Sequence, residues 1–152
     1  MQYFEDLSIG DVAVFGSYQV TEEEIIDFAC RYDPQAFHVD PDAAKKTSVG
    51  GLIASGWHTC AIFMRMFVDH YMQGGSGMPS PGIDELRWLQ PVRPDDTLSV
   101  RITVQSLRRS KSRPDRGIIG HFCEILNQRK EVVMTMTSNG FLPTREQDTT
   151  AG

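Results

Sequence analysis

The sequence predicts an α+β domain in which an antiparallel sheet wraps one long central helix. Three observations point there. From Ser55 to about Met72 the chain is apolar over most of a helical circumference with few charges, and such a helix must be covered on nearly every side. Four strand-like runs follow it, at 83–89, 98–104, 118–126 and 132–141, and the second alternates cleanly through Leu98, Val100, Ile102 and Val104. The chain has 152 residues, the size of one ordinary domain, and a domain of that length buries roughly 70% of the surface its unfolded chain exposes. We expect one domain over residues 1–142 and a polar tail from 143 to 152.

The elements before the long helix are read from their ends. Val12, Val14, Gly16, Tyr18 and Val20 alternate with Ala13, Phe15, Ser17 and Gln19, the pattern of an opening strand. Thr21-Glu-Glu-Glu24 has the spacing of a capping box, and Ile25, Phe28, Ala29 and Tyr32 follow at helical intervals. Pro34 disfavours helical geometry at the residue before it, so this helix ends at about Asp33 and releases the chain into a loop that carries His38. Asp40 then caps a short helix with Pro41 at its first position, closed by Gly50-Gly51. Ser55 reads as the cap of the long helix, its hydroxyl occupied locally. Gly74, Gly75 and Gly77 with Pro79 and Pro81 mark a loop, and Asn127 to Lys130 a turn joining the last two strands.

Composition narrows the function classes. A formal net charge of −5 gives no overall electrostatic reason to bind nucleic acid. No basic segment followed by an apolar run opens the chain, and no stretch reaches transmembrane length, so no membrane partner is expected. Cys30, Cys60 and Cys123 lie far apart, which indicates neither a disulfide framework nor a metal site. Each is read as a small buried apolar residue in a cytoplasmic, reduced setting.

The most specific stretch is Asp33-Pro-Gln-Ala-Phe-His38-Val-Asp40-Pro, supported by Phe4-Glu-Asp-Leu-Ser-Ile-Gly-Asp11, Gly51-Leu-Ile-Ala-Ser-Gly56 and Leu86-Arg-Trp-Leu-Gln-Pro-Val-Arg-Pro-Asp-Asp-Thr-Leu98. On these segments the chain resembles the MaoC-like dehydratases, a family that includes (R)-specific enoyl-CoA hydratases. The resemblance implies the hot dog fold, a homodimer or higher homo-oligomer, an acyl-CoA thioester as substrate, and no cofactor beyond the coenzyme A that the substrate carries. It also implies that Asp33 and His38 are catalytic and that the backbone N–H of Gly56 polarises the thioester carbonyl. The signature of the family generally reads Asp-x-Asn-Pro-x-His, whereas this chain has Gln35 and Ala36 at the inner positions.

Hydration of an enoyl thioester needs a held water, a base for its proton, an acid for the α-carbon and donors for the enolate oxygen. An Asp at a helix end and a His five residues on can converge on one water, and a helix N-terminus offers unpaired N–H groups. The same residues have plainer explanations: Asp33 as a turn residue, His38 as a solvated histidine, Asp40 as a cap and His58 as a core histidine. Arg109, Lys111 and Arg113 form part of a basic run, and with Arg87 and Arg93 they are candidates for coenzyme A phosphates or simply solvated charges. Trp57, Phe63, Met64 and Trp88 line an acyl pocket or pack the core. Two alternatives stay open: a hot dog thioesterase, against which stands the absence of Asp or Glu on the long helix before Asp69, and a non-catalytic acyl-binding module.

Overall fold

The computed structural model describes residues 2–72, 75 and 78–145. A 3-10 turn at Phe4–Asp6 leads into β1 (Val12–Gln19). Three helices follow, α1 (Glu22–Tyr32), α2 (Ala36–Val39) and α3 (Pro41–Lys45), and then the long α4 (Gly56–His70). β2 (Gly82–Trp88), β3 (Thr97–Arg109), β4 (Arg116–Leu126) and β5 (Val132–Pro143) complete one antiparallel sheet in the order β1-β3-β4-β5-β2. Gly74, Gly77 and residues 146–152, which carry part of the expected loop and tail, lie outside the described residues.

The period-two pattern decides which face of the sheet is covered. Leu98, Val100 and Ile102 of β3, Cys123 and Ile125 of β4, and Met134 and Met136 of β5 point inward and pack with Ile62, Phe63 and Met66 of α4. This is the hot dog arrangement, with α4 as the filling. β1 comes so close to α4 that its bulge needs a glycine: Gly16 has a φ of +86°, and a Cβ there would run into the Met66 sulfur.

Helix starts follow the capping rules in part. Thr21 Oγ1 accepts from Glu24 N–H at 3.2 Å, and Asp40 Oδ1 accepts from Asp42 and Ala43 N–H at 3.0 and 3.1 Å. Glu24, however, does not close the capping box, because its carboxylate is taken by Tyr18 and His58. The loop expected between Pro34 and Asp40 contains the single turn α2, so His38 is helical and buried. Cys30 is exposed, contrary to the expected burial, because it falls on the outer face of α1.

Below the far half of α4, the Tyr71 hydroxyl and His121 Nε2 share a hydrogen bond of 3.0 Å. Burial pushes the His121 imidazole down to about 4. As pH falls below 6.5 the unfolded chain takes up a proton there that the folded chain refuses until near 4, so stability is lost across that window. Between pH 6.5 and 5 this amounts to about 2 kcal/mol at 1.36 kcal/mol per pH unit. Urea midpoints at pH 7 and pH 5 check it: His121→Gln should lose clearly less stability on acidification than the parent, and an equal loss would exclude His121 as the source.

Candidate active site

Asp33 closes α1 with φ −154° and ψ 67°, outside helical geometry, as expected before Pro34. From that position its carboxylate is held by three groups. Gln35 Nε2 donates to Oδ1 at 2.7 Å, Ser55 Oγ donates to Oδ2 at 2.7 Å, and His38 Nε2 stands 3.2 Å from the same Oδ2. Burial pushes this carboxyl upward, but the Gln35 and Ser55 hydrogen bonds and the nearby His38 charge outweigh it and hold it below the usual range. Asp33 is therefore ionised at neutral pH.

His38 is oriented from its other side. Its Nδ1 lies 2.7 Å from the Ile53 carbonyl, which can only accept, so Nδ1 carries a hydrogen and Nε2 is the nitrogen turned to Asp33. The strap carrying that carbonyl is itself fixed: Ile53 N–H donates to Phe37 O at 3.0 Å and Ala54 N–H to Val92 O at 2.8 Å. The imidazole is clamped between a backbone acceptor and a carboxylate.

Ser55 has a different job from the one expected. Its side chain makes no cap to α4; instead the fully buried hydroxyl crosses to Asp33. Its carbonyl accepts from His58 and Thr59 N–H, which leaves Gly56 and Trp57 N–H at the helix start without intrahelical partners. Gly56 is required because the Trp88 indole lies where a Cβ would be, and Trp88 Nε1 donates to the Gly56 carbonyl at 3.0 Å. A cavity of about 290 Å³ opens here, lined by His38, Ile53, Gly56, Thr59, Trp88 and Val133 among others.

The other sequence candidates fall elsewhere. Arg109 pairs with Glu5 at 2.8 Å and Arg113 reaches Asp115 at 4.0 Å, at the tip of the β3–β4 hairpin. Lys111 sits on that exposed tip. Arg93 Nη2 donates to Val49 O at 2.5 Å, bracing the turn before Gly51, and Arg87 lies exposed on β2. None lines the cavity at His38. Phe63 belongs to the core, but Trp57, Met64 and Trp88 are exposed, since the outer face of α4 and the edge strand β2 have no cover from this chain. A second cavity, about 350 Å³, lies beside the far half of α4 between Phe67, Tyr71, His121 and Phe141, and neither Asp33 nor His38 lines it.

Three side chains near the site were not read from the sequence as functional candidates. Gln35 supports Asp33, and its position inside the Asp-to-His interval was the available signal. Tyr18 and Glu24, which meet His58, gave none, because each had a sufficient local explanation in a strand or a cap.

Comparison with known proteins places the chain in a family. Residues 7–119 match the family model described as "MaoC like domain". The chain is 30% identical over 126 residues to the uncharacterized protein YdeM of Bacillus subtilis, covering 83% of this chain and 88% of that one. It is 30% identical over 103 residues to Protein MaoC of Klebsiella aerogenes, covering 67% of this chain but only 30% of that longer protein. The crystal structure of a MaoC-like dehydratase from Rhodospirillum rubrum superposes with a TM-score of 0.89 at 41% identity, over 97% of this chain and 100% of that one. The chain belongs to the MaoC-like domain family.

Proposed function

We propose that this protein is a hydratase/dehydratase that adds water reversibly to an enoyl thioester, with coenzyme A as the carrier. The observation that carries the reading is the shared Oδ2 of Asp33, held by Ser55 at 2.7 Å and facing His38 Nε2 at 3.2 Å, at the start of α4. Family membership and the likeness to a MaoC-like dehydratase support it.

In the forward direction, water held between Asp33 and His38 attacks C3 while its proton passes to the pair. The double-bond electrons move onto the thioester oxygen, where the unpaired Gly56 N–H and the positive end of α4 stabilise the enolate. The pair then delivers a proton to C2, giving a 3-hydroxyacyl thioester. Elimination retraces the steps. Ser55, donating to Asp33, acts as a positioning residue and not as a nucleophile. The first acidic residue along α4 is Asp69, at the far end from the pair, which disfavours thioester hydrolysis by a helix carboxylate.

The reading includes a homodimer. β2 is an edge strand with an open side, and Trp57, Met64 and Val68 on one face of α4 join Ile83, Trp88 and Leu89 as exposed large apolar side chains. A surface of that kind fits a second copy of this chain. Met64→Glu should shift the sedimentation coefficient to that of a monomer, and an unchanged dimer would remove this face from the interface.

With crotonyl-CoA, loss of enoyl absorbance without release of free thiol is the expected signature. Asp33→Asn and His38→Ala should each lower kcat by about 10²- to 10⁴-fold, the range of acid–base catalysis, with circular dichroism unchanged. Full activity in both variants would remove the pair from the mechanism. Ser55→Ala deletes a donor that holds the Asp33 carboxyl down, so the acid limb of the kcat/KM profile should move to higher pH. A limb that stays in place would separate Ser55 from Asp33.

A further inference from the structure

The cavity that opens at His38 and Gly56 has a mostly apolar wall, with Ile53, Val92 and Val133 among its members. Two buried polar side chains interrupt that wall, His38 and Thr59. The His38 nitrogens are both engaged, one by the Ile53 carbonyl and one by Asp33. Thr59 is different: it is only 2% exposed, and its hydroxyl makes no hydrogen bond to any described residue.

That hydroxyl is nevertheless not sealed in. Among the described residues, His58 Nδ1 is the one side-chain nitrogen or oxygen that is both fully enclosed and unpartnered. The little surface that Thr59 keeps therefore includes its hydroxyl oxygen, and the cavity wall is where that surface lies. A helical threonine can bond back to the carbonyl four residues earlier, but the Ser55 carbonyl already accepts from His58 and Thr59 N–H. The Thr59 hydroxyl is left with its donor unspent, and a buried donor without a partner is costly unless something in the cavity takes it.

Position decides which substrate atom that is. The oxygen added at C3 belongs to Asp33 and His38, which leaves the thioester oxygen as the second group needing donors. Gly56 and Thr59 are three residues apart and so lie on one face of α4. Helical side chains lean toward the N-terminus, which carries the Thr59 hydroxyl back over the turn that begins at Gly56. A carbonyl oxygen has two lone pairs, and the Gly56 N–H uses one. We propose that Thr59 is a catalytic residue whose hydroxyl donates the second hydrogen bond to the thioester oxygen and so stabilises the enolate beside Gly56. The proposal rests on the hydratase reading.

Thr59→Val and Thr59→Ser test it on two probes: crotonyl-CoA for turnover, and acetoacetyl-CoA, whose bound enolate absorbs in the near ultraviolet. Valine replaces the hydroxyl with a methyl of similar size. Because that hydroxyl has no partner in the protein, the urea midpoint of the valine variant should equal or exceed that of the parent. Its kcat on crotonyl-CoA should fall by about 10²-fold, the loss typical of one oxyanion donor, and serine should keep most of the activity. The pH at which bound acetoacetyl-CoA ionises should rise by about one unit or more in the valine variant, since a donor to the charged form is lost.

A packing role would lower the urea midpoint and leave the enolate titration in place, which overturns the proposal. Lost turnover with an unmoved titration would assign the hydroxyl to the attacking water and overturn it as well. Parent-like kcat in the valine variant has the same consequence but leaves the hydratase reading standing. A parent that does not hydrate crotonyl-CoA defeats that reading, and the acetoacetyl-CoA titration then still decides whether Thr59 is a donor.

Discussion

An α-helix with apolar residues on most of its circumference cannot stay in water, and covering α4 is the constraint from which the rest of this structure follows. Ile62, Phe63 and Met66 carry the buried face, and the strand residues that meet them come from β3, β4 and β5. The cost of a gap in such a core is large: removing one buried Ile or Met side chain to Ala typically loses about 2–5 kcal/mol. The sheet therefore has to close on α4, and the bulge at Gly16 marks where closure leaves no room for a side chain.

Closure around the middle of α4 leaves its first turn to be finished by something other than the sheet. α1, α2 and the strap through Ile53 do this, and they bring polar groups because a helix start has N–H groups that no strand can satisfy. The arrangement explains why the candidate residues gather there. Asp33 needs a carboxylate environment with donors, and Ser55 and Gln35 supply two; His38 needs a fixed ring orientation, and the Ile53 carbonyl supplies it. Each group is held by a neighbour in another segment, so the site is rigid without any of its members being in a regular long element except at α1 and α4.

How much of this was legible follows from the range of each interaction. The alternation of Leu98, Val100, Ile102 and Val104, the Asp40 cap and the break at Pro34 are local, and each appears where the pattern puts it. The Asp33 and His38 pair came from a motif within one short stretch. What could not be read depends on partners far along the chain. Ser55 looks like a local cap, yet its hydroxyl goes to a residue 22 positions away. Glu24 completes a capping box on paper, yet Tyr18 and His58 claim its carboxylate. The turn at Ala36–Val39 is too short for periodicity to register. Trp57, Met64 and Trp88 look like core residues because hydrophobicity alone does not say whether the rest of the chain covers a side chain.

His58 shows how two levels of argument interact. A lone histidine on an apolar helix is ordinarily a core residue with both nitrogens satisfied, and burial here agrees with the first half of that expectation. The second half fails, because Glu24 satisfies one nitrogen only. A leucine at the same position would pack against Phe28 with no unpaired atom, and it would leave Glu24 to Tyr18 alone. Keeping an imidazole there leaves one buried nitrogen unpaired in return for the contact of Nε2 with Glu24 on α1. The contact holds α1 against α4 one turn beyond Ser55, on the element whose first N–H groups lack intrahelical partners.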